Sequence, residues 1–429
     1  MAKKGIILGA GITGLVAGMK SALPVYEAEG YPGGICASYC MSPGETDPSI
    51  SEAEDEMCYK FSIGGGHWIF GADVGVERLI KRYSPIRTIV RKSCVWFPDK
   101  RTYVAYPIQN NIKYLGEKTA QKVLSEISNG SAGSRAVRTM KEWLRVKFGP
   151  TLFRLFFGPF HKLYTAGLYE TIAPQDLYKS PSNTINMKRV GYNASFIYPR
   201  NGLEALVYGL AKSCQIHFKK RASRIDVKER MVTFEDGSAA EYDYLVSTVP
   251  LNRIMGMTGL AKRAGLSDPH TSVLVLNIGA IRGERCPDIH WLYVPCSKSG
   301  FFRIGFYSNV DASFLPEDSR KGTSRVSIYV ERAYKGGRKP TDRDVRVYSD
   351  SVIRELEDWK FIKHAEVIHP TWIDVAYTWS WPGSAWRDKA IKVLSKNAIY
   401  QVGRYGLWRF QGIAESIRQG LAVSSRVQT

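Results

Sequence analysis

Gly9, Gly11 and Gly14 stand at G-x-G-x-x-G spacing directly after the apolar run Ile6-Ile7-Leu8, and Glu27 follows thirteen residues beyond the last glycine. These residue types at this spacing grip a dinucleotide. Gly9 permits a tight turn, Gly11 lets the backbone approach phosphate oxygens, and Gly14 lets a helix lie close to a strand. Free N–H groups at the helix start attract a diphosphate, and the Glu27 carboxylate is placed to accept hydrogen bonds from ribose hydroxyls. The acid in such motifs usually lies about 20 residues on, so the spacing predicts a short first helix. Pro24 then marks the start of the second strand.

A second set of residues could carry the reaction. Gly33-Gly34 is followed by Phe61-Ser62-Ile63 and Gly64-Gly65-Gly66-His67. Glycines in succession imply backbone pressed against something flat and large, and His67 is the best candidate for a catalytic group. Arg303 lies in a strand rich in aromatic residues, where a guanidinium either binds an anionic ligand or stacks on a ring. Tyr377, Trp379, Trp381 and Trp386 either wall a pocket or fill a core. The remaining six histidines lack ligand spacing, and the seven cysteines include no C-x-x-C pair. No metal site and no disulfide framework are expected.

The elements that must position these residues are legible in outline. Apolar periodicity in 119–127 and 136–157 predicts a largely helical stretch over 112–170, punctuated at Gly149-Pro150 and Gly158-Pro159. Tyr198-Pro199-Arg200-Asn201-Gly202-Leu203 opens a helix running to Cys214. Strands near 222–227 and 231–235 with a turn at Asp236-Gly237 read as a hairpin. A buried strand ends in Leu245-Val246-Ser247-Thr248-Val249-Pro250. Residues 271–281, 291–307 and 325–332 alternate as strands do, and a closing helix starts near Ile413.

A chain of 429 residues exceeds the size of one core. Two interleaved domains are expected: nucleotide-binding segments at 1–85, 196–268 and 396–429, and a substrate domain at 86–195 (largely helical) and 269–395 (sheet). The fold class is α/β. Residues 42–57 hold six acids and no base and read as an acidic surface loop. The net charge of +20 would suit an anionic substrate or a peripheral membrane contact. The bases are dispersed and match no nucleic-acid module, so no nucleic acid is expected. Neither a membrane-spanning stretch nor a signal peptide is visible, which predicts a cytoplasmic protein.

Taken together, these segments resemble the flavoprotein superfamily of amine oxidases, protoporphyrinogen oxidases and UDP-galactopyranose mutases. The resemblance runs over nearly the whole chain and implies a Rossmann-type domain of the glutathione-reductase kind holding FAD, with NAD as the runner-up cofactor. It implies that Ala222 lies near the adenine, and that Gly403-Arg404-Tyr405-Gly406 with Gly412-Ile413-Ala414 closes over the flavin, Arg404 serving the cofactor. Gly33-Gly34 and Gly65-Gly66-His67-x-Ile69-Phe70 resemble the flavin-contacting segments of the mutases. Trp291-x-Tyr293 with Phe302-Arg303 resembles the strand whose arginine clamps the substrate diphosphate, and Ala376-Tyr377 also matches. The mutases' Trp-x-x-Glu-Arg-Val is missing, with Asn186-Met187-Lys188-Arg189-Val190 near its place. Phe410 stands where a tyrosine is expected, and Gly412-Ile413-Ala414-Glu415-Ser416 replaces Gln-Asp-His-Ser.

The resemblance implies one of two chemistries on a small molecule. In an oxidoreductase, flavin N5 takes a hydride from a substrate C–H bond. In a mutase-like enzyme, reduced flavin attacks the anomeric carbon of a nucleotide sugar. A third reading is a non-catalytic flavoprotein that works through its basic surface.

Overall fold

The computed structural model describes residues 3–45, 47–50, 57–130, 137–175, 194–322 and 324–427. Two sheets dominate them. The first is parallel, and its strands in spatial order are Ile399–Gln401, Tyr244–Ser247, Gly5–Leu8, Val25–Tyr26 and Ile216–His217. The central strand Gly5–Leu8 is short, apolar and buried throughout, as a sheet covered by helices requires. The helix Ile12–Ser21 follows the first strand and packs on the closing helix Ile413–Val427. It begins two residues before Gly14 and ends at Ala22, a left-handed C-cap, so it is short as the Glu27 spacing requires.

Beside this sheet lies a three-stranded antiparallel one, Ala222–Asp226, Met231–Phe234 and Ala239–Glu241. The Asp236-Gly237 turn joins its second and third strands, with Gly237 at φ 82°.

The other large sheet has seven strands in the order Ile362–Thr378, His270–Arg282, Arg325–Lys335, Arg303–Phe306, Trp291–Tyr293, Ser93–Phe97 and Thr102–Ala105. The single strand expected over 291–307 is instead two antiparallel strands, Trp291 pairing with Gly305 and Tyr293 with Arg303. Alternation alone could not show this, because Val294 and Phe302 are buried and continue the apolar pattern through the turn. Along Arg325–Lys335, Val326, Ile328 and Val330 point outward into a core with Tyr348, Val352 and Leu356 of the helix Asp342–Asp358. Tyr329 and Glu331 point inward.

Helical segments Glu117–Gly130, Met140–Leu152 and Gly158–Tyr164 occupy the stretch expected to be helical. Gly149, at φ 76°, kinks the second of these at the expected Gly-Pro site. Of the acidic stretch 42–57, residues 49–50 depart from a free loop: Ser49 and Cys40 exchange backbone hydrogen bonds of 2.9 and 3.0 Å, and Ile50 packs on the core. Residues 51–56 and the segment Asn186–Val190 lie outside the described residues. No described helix is long and apolar enough to cross a membrane. Nor do the described residues hold a group of three His, Cys, Asp or Glu able to bind a metal.

Candidate functional site

A cavity of about 620 Å³ runs from the end of the parallel sheet to the inner face of the large one. Gly9, Gly11, Glu27, Gly33, Gly34, Gly66, His67, Ala222, Arg303, Tyr377, Arg404, Gly412 and Ile413 all line it. Gly14 and Gly65 do not. Gly14 lies against the Gly9 carbonyl, where any Cβ would collide. Gly65, at φ 80°, would bring a Cβ to 2.9 Å from Glu331 Oε1. The flat body against the glycine run is thus the protein's own Tyr329, whose ring lies where a Cβ of Gly66 or Gly305 would fall.

The nucleotide end fits FAD. Gly11 is the N-cap of the first helix and gives its N–H groups no side-chain partner, and a Cβ built on Gly11 meets nothing within 4 Å. Free donors beside open space are what a diphosphate needs. Glu27 is buried at the cavity wall, accepting hydrogen bonds from the backbone N–H of Ala10 (2.6 Å) and of Glu29 (2.9 Å). Burial raises its carboxyl pKa, and those N–H groups oppose the rise. Each oxygen keeps a lone pair for a ribose hydroxyl. Glu27→Ala is expected to weaken FAD binding at least tenfold and to loosen the Ala10 turn, measured by titrating the cofactor-free protein with FAD. Unchanged affinity would remove Glu27 from the ribose site.

At the other end, sheet register assembles the site. One cross-strand row reads Tyr293, Arg303, Glu331, Val275, Thr371, and the next reads Trp291, Gly305, Tyr329, Asn277, His369. Arg303 Nε donates to Glu331 Oε2 at 2.8 Å, and Nη2 donates to Oε1. The pair is deeply buried, with side chains 15% and 2% exposed. Arg303 also lies 5.8 Å from the Tyr329 ring centroid, so it both pairs with an acid and stacks.

Arg404 donates to the carbonyl oxygens of Ala376 (2.8 Å) and Gln411 (3.4 Å) and sits over the rings of Phe410, Tyr377 and Tyr405. Arg91 also lines the cavity, its Nη2 3.5 Å from the Tyr106 carbonyl oxygen; among the described residues, neither Arg404 nor Arg91 has a carboxylate partner. Of the aromatic stretch, Tyr377 alone lines the cavity. Trp379 donates to Thr271 and Trp386 meets Trp408 edge-to-face in the core.

His67 Nδ1 lies 2.9 Å from the Gly65 carbonyl. A carbonyl can only accept, so the proton sits on Nδ1 and Nε2 is left as an acceptor. Burial pushes its pKa down to about 4, and the charges of Arg404 and Arg303 add to the effect. An unfolded histidine titrates near 6.5, so the unfolded chain binds more protons between those values. The stability held in neutral His67 is complete above about pH 6.5 and is lost as pH falls toward 4. His67→Gln should therefore flatten the drop in melting temperature between pH 7 and pH 5. Parallel melting curves for the two proteins would contradict this.

Glu331, Tyr329 and Arg91 escaped sequence reasoning. The available signal was an acid and a tyrosine on one face of an otherwise apolar strand, Ser327-Ile328-Tyr329-Val330-Glu331.

The family model for flavin containing amine oxidoreductases matches residues 23–262. Among solved structures, reduced UDP-galactopyranose mutase is similar at 23% identity and a TM-score of 0.82, over 100% of this chain and 96% of that one. A candidate protoporphyrinogen oxidase from Exiguobacterium sp. 255-15 follows at 14% identity and a TM-score of 0.70, covering 100% and 99%. A putrescine oxidase variant matches at 12% and 0.60, covering 99% of each. At these identities the structural likenesses speak to the fold.

Proposed function

Because this chain belongs to the flavin containing amine oxidoreductase family, we propose that it is an FAD-dependent oxidoreductase acting on a C–H bond of a small anionic substrate. The observation that supports this reading is one continuous cavity with a phosphate-gripping turn at one end and arginines among aromatic rings at the other. FAD, when bound, supplies the two-electron acceptor for a hydride leaving that C–H bond, and a second acceptor reoxidises it. The chain's own residues do the rest. Gly9 and Gly11 seat the diphosphate, and Glu27 holds the ribose. Arg303, held by Glu331, turns its remaining N–H groups toward the substrate. Arg404 and Arg91 set a positive field that favours an anion. Neutral His67 offers Nε2 as a hydrogen-bond acceptor, and Tyr293, Trp291 and Tyr377 exclude water from the walls.

A second reading is a non-redox enzyme acting on a nucleotide sugar. It is favoured by the 0.82 TM-score over the whole chain to UDP-galactopyranose mutase and by two cavity arginines, Arg91 and Arg404, that have no carboxylate partner among the described residues. One set of assays separates the two. FAD-loaded protein is mixed anaerobically with nucleotide sugars in oxidised and reduced form. Turnover that needs reduced flavin without net electron transfer supports the mutase reading. Stoichiometric bleaching of oxidised flavin by a substrate supports the oxidoreductase. Purified protein that takes up no FAD overturns both.

A further inference from the structure

We propose that Asn277, together with Thr371, is a positioning residue that pins the glycine–histidine turn to the large sheet and so sets how Gly66 and His67 face the cavity. The inference rests on the flavin reading of the site above. Asn277 is fully buried at the middle of the strand His270–Arg282. Its Nδ2 donates to the Ser62 carbonyl at 3.1 Å and to the Tyr39 hydroxyl at 2.8 Å. Its Oδ1 accepts from the Tyr307 hydroxyl at 3.0 Å, and that hydroxyl also lies 3.3 Å from the Ser62 carbonyl. The Tyr39 hydroxyl in turn lies 2.9 Å from His369 Nδ1, which closes the network on the next strand. One residue further along the turn, Thr371 Oγ1 donates to the Ile63 carbonyl at 2.7 Å.

Two successive peptide carbonyls are therefore held by the sheet, immediately before the glycines. This matters because backbone bonds hold only the start of the turn. They are Ile63 N–H to Ala37 (2.9 Å), Gly64 N–H to Ile35 (3.0 Å) and Gly65 N–H to Ser62 (3.2 Å). Gly66 and His67 donate no backbone hydrogen bond to any described residue. Glycines have no side chain to fix their path, so the direction of the Ser62 and Ile63 peptides decides that of the N–H groups and of the imidazole that follow. A buried carboxamide with every partner satisfied is suited to the task, since rotation would strand at least two buried groups.

The experiment uses Asn277→Ala and the milder Thr371→Val, with Ser272→Ala as control. Ser272 is buried in the same strand but donates to the Asp374 carbonyl, away from the turn. Hydrogen exchange at Gly64 and Gly65 is followed in cofactor-free protein, and the visible circular dichroism of bound FAD in loaded protein. Both site variants should exchange about tenfold faster at Gly64 and Gly65, the change expected for one lost hydrogen bond. They should alter the flavin dichroism while binding FAD at unchanged stoichiometry. Ser272→Ala should move neither signal even where it lowers the melting temperature. Unchanged exchange in Thr371→Val, or equal acceleration in Ser272→Ala, would overturn the proposal, and Thr371→Val decides alone if Asn277→Ala does not fold. The exchange readout needs no flavin, so failure to bind FAD would sink the proposed function separately.

Discussion

Gly14→Ala is expected to yield a destabilised protein that purifies without flavin, whereas Gly11→Ala should fold normally and lose only affinity. The two glycines stand three residues apart in one motif, yet their surroundings differ. A methyl on Gly14 meets the Gly9 carbonyl oxygen, and its next contact, the Gly9 carbonyl carbon, is at 3.0 Å. Neither is a flexible side-chain tip, so the helix must shift off the turn. Overpacking of this kind costs about 1–3 kcal/mol, and the displaced helix start takes its N–H groups out of phosphate range. Each 1.4 kcal/mol is about a tenfold change in binding, so FAD affinity should fall by about two orders of magnitude. A methyl on Gly11 meets nothing within 4 Å of protein and intrudes only on the open space proposed for the FAD diphosphate. Melting curves of cofactor-free proteins and FAD titrations separate the two effects. Equal melting temperatures for both variants would show that Gly14 is not a packing glycine.

Arg303→Ala should cost about 3–5 kcal/mol of folding stability, because it strands the Glu331 carboxylate in the interior. The paired change Arg303→Met with Glu331→Leu removes both charges while keeping their volume, and should recover most of the loss. That double variant isolates the functional role. If Arg303 also anchors an anion, FAD-loaded double variant will keep its flavin but will bind inorganic pyrophosphate at least tenfold more weakly, read as a perturbation of flavin absorbance. A double variant no more stable than Arg303→Ala would argue against a buried pair. Undiminished pyrophosphate binding would remove Arg303 from the substrate site.

Much of the nucleotide end was legible because its signals are local. Glycine spacing, the acid at Glu27 and the apolar strand Ile6-Ile7-Leu8 all fall within 22 residues, and each states its purpose through backbone geometry. The family resemblance, the α/β class and FAD followed from such segments, and the family match agrees with them. The other end was opaque for a physical reason. Glu331 meets Arg303 across 28 residues, and Asn277 meets Ser62 across 215. Such contacts are created by register between strands, which no single strand encodes. Splitting the stretch 291–307 into two strands changes which residues are neighbours, so Arg303 could be recognised as a cation in aromatic surroundings but not as half of an ion pair. His67 was visible from its glycines, while the residues that hold its turn were not.

The parallel sheet draws its five strands from residues near 5, 25, 216, 245 and 400, and the cavity wall runs on through Gly412 and Ile413 to Arg418. During synthesis, therefore, the glycine turn is made long before the strands near 216, 245 and 400 that complete its groove. Cofactor capture accordingly has to wait for the segment near residue 400. A stalled or prematurely ended translation product would carry the complete fingerprint and still be colourless.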